Sequence, residues 1–171
     1  MPSPQVLSSA TDDLANALAS IGISSASAVW PAANQAVFIP VVIDQPRTYS
    51  KAWWINGATA AGNVDVGIYT ISGTTATRMV ASTAVAQAGV SDMQVATTFT
   101  TTTIGPGLYY IAMSCSLGTA TAWRCNPSAT LAKAAGCFQA LTAHPLPATP
   151  TVATYAVSFI PLFGFSELAA I

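Results

Sequence analysis

Charge is what this sequence has least of. Of its 171 residues 5 are Lys or Arg and 6 are Asp or Glu, 6% together, where soluble proteins average about 25%. The five basic residues, Arg47, Lys51, Arg78, Arg124 and Lys133, are scattered along the chain, and nucleic acid needs them gathered into a stripe. A net charge of −1 with 52% hydrophobic residues makes a poor colloid for a free monomer. Either Ser and Thr hydroxyls keep the surface wet, or partner subunits cover much of it.

Histidine is nearly absent too. The only one, His144, sits in a Pro-rich loop, AHPLP, and a nucleophile such as Ser128 or Cys137 beside it is a matter of geometry that spacing does not decide. A nucleophile elbow is missing, so the residues give no enzyme signature. Metal binding needs three or four converging ligands, whereas Asp44, Asp65 and Asp92 lie on different segments without a calcium-loop pattern. Gly105-Pro106-Gly107 precedes a strand, and a phosphate cradle must open a helix. No cofactor is expected.

Long uncharged runs at 14–43, 93–123 and 134–166 are each broken by Gly, Pro or dense Thr, Ser and Asn, so none reads as a spanning helix. The N-terminus, MPSPQVLSSATDD, lacks a basic n-region and an apolar h-region. Cys115, Cys125 and Cys137 are odd in number and lack metal spacing. Folding in a cytoplasm is the expectation.

What the chain does have is β texture. Residues 100–116, TTTTIGPGLYYIAMSCS, run from threonines through a Gly-Pro-Gly turn into strand-forming side chains. One face carries Leu108, Tyr110, Ala112 and Ser114, the other Tyr109, Ile111, Met113 and Cys115. Apolar groups on both faces imply a strand covered twice, by a second sheet or by another subunit. The first reading gives Leu108, Tyr110 and Ala112 to the monomer core and leaves Tyr109 and its row for assembly, with the reverse assignment open.

Other strands read at 36–44, where Pro40 marks an edge or a bulge, at 48–56, 63–72, 75–81, 93–100, 119–125 and 152–160. Trp53 and Trp54 point to opposite faces, so one enters the core. Gly67 inside its strand marks a bulge or a close backbone approach. Leu117-Gly118 is expected to turn residues 119–125 back on the preceding strand; with Ser116 paired to Thr119 this sets Cys115 opposite Ala120 and Cys125 opposite Tyr110, a spacing that disfavours a Cys115–Cys125 disulfide. Residues 126–135 read as one helical turn or a covered loop, and 141–151, with Pro145, Pro147 and Pro150, as a stiff crossover. The apolar end, PLFGFSELAAI, is expected to be docked.

Residues 1–24 read as an arm and one short helix, with Asp12 and Asp13 in its first turn and Leu14, Ala17, Leu18 and Ile21 on one narrow stripe. The fold expected for 25–171 is an all-β, antiparallel two-sheet sandwich of jelly-roll type with about eight strands. An immunoglobulin-like sandwich is second, because the Cys and Trp spacing of that family is missing. The residues expected to meet partners are Leu14, Leu18, Ile21, Trp54, Tyr109, Phe163 and Phe165. Arg47 and Lys51, flanking the tryptophans, read first as a solvated strand end and second as a contact for an acidic partner, and Trp54, Tyr69 or Tyr109 would stack on sugar rings where exposed, burial in the core or in a subunit contact being the commoner fate.

The segments VWPAANQAVFIPVVID, WWINGATAAGNVDVGIYTISGTTATRMVAS, FTTTTIGPGLYYIAMS and TATAWR together resemble small virion structural proteins of tailed bacteriophages with a jelly-roll-like β-sandwich. The resemblance covers roughly Ala28 to Arg124 and carries no catalytic signature or functional residue. It implies a homotrimer on the particle, a decoration (cement) protein binding the major capsid protein or the end of a tail fibre. A fibre tip recognising host carbohydrate is expected to follow a shaft and attachment domain, and neither is read after Met1. Decoration is therefore the first expectation and the receptor-binding tip the alternative, in either case on a virion assembled in the host cytoplasm.

Overall fold

The computed structural model of the chain describes residues 6–8 and 25–167. The strands of the first half are β1 (Val6–Ser8), β2 (Ser25–Val29), β3 (Ala36–Ile43), β4 (Arg47–Tyr49), β5 (Lys51–Ile55), β6 (Asn63–Ser72), β7 (Thr75–Ala81) and β8 (Val85–Ala86). Those of the second half are β9 (Met93–Val95), β10 (Thr102–Ile104), β11 (Gly107–Cys115), β12 (Thr121–Cys125), β13 (Phe138–Ala140), β14 (Ala153–Thr154), β15 (Ile160–Pro161) and β16 (Phe163–Ser166). A helix, α1 (Ala129–Ala134), sits between β12 and β13, its first turn capped by the Ser128 side chain, which accepts from the Leu131 amide. The helix expected around Leu14 to Ile21 lies outside the described residues.

The strands form two antiparallel layers. The larger sheet runs β14-β13-β3-β11-β6-β7, with β8 added on β6. In the smaller layer β1-β16-β5-β9 and β15-β12-β2 are tied together where the Leu162 amide donates to the Trp123 carbonyl (2.8 Å) and the Ile55 amide to the Leu162 carbonyl (3.1 Å). An Asn56–Ala122 bridge brings β12 directly to the end of β5. Strands β4 and β10 pair at one end.

Between the layers lies the main core. Alternation sends Val37, Ile39, Val41 and Ile43 of β3, Val64, Val66 and Ile68 of β6, and Ile111 and Met113 of β11 inward, against Trp54, Phe163 and Phe165 of the smaller layer. Full burial of side chains of this size stabilises by about 1.5–3 kcal/mol each. The expected division of β11 is thus reversed. The row of Ile111, Met113 and Cys115 belongs to the sandwich core, because its cross-strand partners Ile39, Val37 and Val64 face the same way.

The other face is closed by the same chain. Phe38, Tyr69, Ala112, Ala140, Leu146 and Val152 make a second cluster of buried residues, in which the Phe38 and Tyr69 rings meet edge to face at 5.2 Å. The cover is the stretch after β13. At one edge β13 pairs with β3 and β14 with β13. At the opposite edge the amides of Arg78 and Ala76 donate to the carbonyls of Ala148 (2.8 Å) and Pro150 (3.0 Å), and the Val152 amide to the Thr74 carbonyl (2.8 Å). One segment therefore engages both lateral edges of the larger sheet, which blunts them against further pairing.

Several boundaries differ from the sequence reading. Residues 119–125 leave β11 for the other layer and pair with β2 and β15, because Leu117-Gly118 opens into a crossover, where a Cβ on Gly118 would lie 3.2 Å from the Ala33 amide nitrogen. Cys115, Cys125 and Cys137 are free thiols. The strand expected at 93–100 stops at Val95, and that expected at 152–160 is reduced to β14, the chain then running on to β15 and β16. Pro40 lies past the end of the β13 pairing, where β3 has only β11 beside it. The apolar chain end is docked as far as Glu167, with all of β16 buried.

Of the two features its position suggested, Gly67 shows the close backbone approach; the nearby bulge falls on β7, where Met79 is left between Val80 and Arg78. The β6–β7 register shifts between Ile68 and Tyr69, and a Cβ on Gly67 would lie 2.8 Å from the Val80 carbonyl oxygen and 3.2 Å from Leu146 Cδ1. A Cβ on Gly105 would meet nothing within 4 Å. Gly67→Ala is expected to lower unfolding stability by about 1–3 kcal/mol and Gly105→Ala to change it by less than about 0.5 kcal/mol, measured by urea denaturation.

Candidate functional site

Ionisable and nucleophilic groups converge at one place, under the 141–150 crossing. Asp65 of β6 and Ser114 of β11 are direct cross-strand partners, so both project from the same outward face. The crossing delivers His144 to them. Ser114 Oγ lies 3.0 Å from His144 Nδ1. The Asp65 carboxylate accepts from Ser82 Oγ (3.0 Å) and from the Leu146 amide (2.9 Å). Beside it Arg78 donates to the Leu146 carbonyl at 2.5 Å and Tyr69 Oη to the Pro147 carbonyl at 2.7 Å. Four side chains, Asp65, Tyr69, Arg78 and Ser114, thus hold three residues of the crossing, His144, Leu146 and Pro147, with Ser82 steadying Asp65.

Burial governs the electrostatics. Desolvation raises the Asp65 carboxyl above its ordinary value against the opposing pull of the Leu146 amide, the Ser82 hydroxyl and the charges of His144 and Arg78. His144 is lowered by burial, with the Asp65 charge and Ser114 working the other way. Tyr69 is raised, chiefly by burial.

Ser, His and Asp are the residue types of nucleophilic hydrolysis, yet their arrangement here is that of an anchor. Ser114 has 0% of its surface exposed and is paired on both sides, with Ala36 and Asp65, so its hydroxyl faces no space an acyl group could enter. The carboxylate is spent on Ser82 and Leu146, while a base in a triad needs it on the second ring nitrogen. The two nucleophiles weighed from sequence lie elsewhere. Ser128 caps α1, and burial pushes the Cys137 thiol up to about 12. Nothing in the local sequence marks Ser114 as the partner of His144, since the pairing is made by the crossing. Among the described residues no three His, Cys, Asp or Glu side chains are grouped to hold a metal.

The expected partner-binding residues fall in different places. Leu14, Leu18 and Ile21 lie outside the described residues. Trp54, Phe163 and Phe165 are each 0% exposed, a correction with a simple cause: they fill the space between the layers, and the Trp54 indole nitrogen donates to Asn56 Oδ1 at 2.7 Å. Neither Trp54 nor Tyr69 is available to stack on a sugar. Tyr109 is half-buried against the main core. Arg47, 8% exposed, lies 3.4 Å from both Asp44 and Glu167, so its charge is met within the chain.

The exposed apolar groups are others. Val42 and Leu108, 71% and 58% exposed, are directly opposed on β3 and β11. They stand on the outward face of the larger sheet, at the end that the 141–152 segment leaves open. Position-2 alternation placed Leu108 on that face from sequence, but the end of the cover is fixed only by the fold. No helix among the described residues is long and apolar enough to cross a membrane.

The two shifted groups act on stability with opposite signs. His144 has its folded value below the ordinary 6.5, so the unfolded chain binds the proton first and stability is lost as pH falls through about 6.5 towards the folded value. Asp65 has its folded value above 3.8, so stability is regained as pH falls further, from that folded value towards 3.8. Urea titrations across pH 3 to 8 should show the first loss vanish in His144→Gln and the later gain vanish in Asp65→Asn.

The chain matches no family model, no curated protein and no solved structure.

Proposed function

We propose that this protein is a structural component of a bacteriophage virion, a homotrimeric decoration protein that binds the head shell and stabilises it. The observation that carries the reading is the Val42–Leu108 pair, a strongly exposed apolar couple on a chain with 6% charged residues. Such a surface is costly to leave in water and suited to permanent contact with other subunits. The buried serine, the loop-anchoring carboxylate and the internally paired Arg47 fit a role in which the chain carries no chemistry and no nucleic-acid contact.

The strand order supports the jelly-roll reading. Eight strands in chain order, β2, β3, β5, β6, β7, β9, β11 and β12, distribute into β2-β12-β5-β9 and β3-β11-β6-β7, the interleaving expected of two wound Greek keys. In this reading β13 to β16 are additions that thicken the sandwich at its flanks.

Purified protein is expected to sediment as a trimer, and Leu108→Asp with Val42→Asp to shift it towards monomer without loss of sheet circular dichroism. A well-behaved wild-type monomer would overturn the oligomeric claim. Labelled antibody on intact particles should decorate heads in many copies, and heads lacking the protein should break at lower temperature. A few copies at the tail, with intact heads and lost adsorption, would favour a receptor-binding tip that recognises carbohydrate.

A further inference from the structure

Strand β2 (Ser25–Val29) has a neighbour on one side only, β12. Among the described residues the other one-sided strands are two or three residues long, apart from β7, whose outer side is taken by the 141–152 crossing. The register decides which backbone groups of β2 face outward. The Trp30 amide donates to the Ala120 carbonyl (2.8 Å), and the ladder runs unbroken from Val29–Thr121 to Ser25–Cys125. Hydrogen-bonded pairs alternate along an antiparallel ladder, so Ala28 and Ala26 bond to β12 while Ser27 and Val29 turn their amides and carbonyls to the open side. The same alternation turns Thr121 and Trp123 of β12 away from β2, to Gly57, Thr59 and Leu162. No hydrogen bond among the described residues meets the outward backbone groups of Ser27 and Val29.

An edge of this kind is a template for one more strand. The devices that prevent such pairing are missing from it: SASAV has no Lys, no Pro and no bulge. Ala26 is exposed and Val29 is 58% exposed. The one charged residue of β12, Arg124, is turned to the Ser158 carbonyl (3.1 Å) and the Phe159 ring. We propose that β2 pairs antiparallel with β2 of a second copy of this chain, joining the two β15-β12-β2 sheets into one.

The identity of the added strand follows from what the edge can accept. Its outward groups are alternating donors and acceptors, its side chains are small, and its seam carries no charge, so the occupant is an extended, uncharged segment. Strand β2 itself meets these demands, and its register is self-complementary. With a two-fold axis at Ser27, each Ser27 amide donates to the carbonyl of its counterpart, and Val29 faces Ser25 of the second copy. A two-fold contact closes after two copies and satisfies both open edges at once, whereas a foreign strand satisfies one. The contact lies on the smaller layer, away from the Val42–Leu108 pair on the larger sheet, and does not rest on the virion reading. Where both contacts operate, β2 links one trimer to the next.

Residue-resolved hydrogen exchange on the full chain tests the pairing. The Ser27 and Val29 amides should exchange about tenfold or more slowly in concentrated than in dilute protein, in step with a rise in sedimentation coefficient, while the Ala28 amide stays protected throughout. Val29 is the position to change, because its amide faces outward and its side chain is exposed, whereas Ser27 Oγ accepts from the Ala58 amide at 2.8 Å. Val29→Pro removes an outward donor and leaves the β12 ladder intact. It should abolish both changes at unaltered sheet circular dichroism, and Val29→Lys, which places a charge on the seam, should weaken both. In a chain carrying Val42→Asp and Leu108→Asp the association should run from monomer to dimer, so failure of the trimer reading and failure of this pairing are separate results. Fast exchange of Ser27 and Val29 at every concentration, protection that does not vary with concentration, or association that survives both Val29 variants would overturn the proposal.

Discussion

The hydrogen bonds that the Asp65 carboxylate accepts from the Leu146 amide and Ser82 hold the outer layer on which the larger sheet depends. Strand β11 is apolar on both faces, and a strand of that kind cannot stand at a surface. One face is served by the sandwich partner. The other has no second sheet, so the chain covers it with a crossing rich in proline, whose backbone groups cannot join a regular ladder along their whole length. Burying that backbone requires specific partners, and Asp65, Arg78 and Tyr69 supply them, with Ser82 bonded to Asp65. A buried carboxylate is an expensive device, which its raised pKa records. The return is a second core around Phe38 and Tyr69 and two engaged sheet edges.

The same device explains why the one histidine sits where it does. His144 lies next to the residues that fix the crossing, with Ser114 as its partner, and the conjunction of Ser, His and Asp follows from the anchoring of a loop on a paired strand. Burial of the serine and the direction of the carboxylate's bonds give the cluster this task.

Much of the strand pattern was legible in the sequence because alternation and turn residues act locally: β6 and β7 run over 63–72 and 75–81, and the close backbone approach at Gly67 and a helical turn within 126–135 follow from single residues and their neighbours, whereas which of Trp53 and Trp54 turns inward does not. What sequence could not supply depends on distant partners. Leu117-Gly118 looks like a hairpin turn, yet β12 finds better cover beside β2 in the other layer. Phe163 and Phe165 look like a clamp for a partner, yet β16 lies between β5 and β1 and its aromatics complete the core. The Ser114–His144 contact joins positions 30 residues apart through a crossing whose course no local pattern encodes.

If the Asp65 anchor is the constraint on which the outer layer rests, its removal should loosen that layer and spare the sandwich. Hydrogen–deuterium exchange of Asp65→Ala against the parent chain measures this directly. The expected result is faster exchange across residues 141–152 and along β7, with β5 and β16 protected as before. Unchanged protection over 141–152, or an equal loss of protection in both layers, would contradict the account.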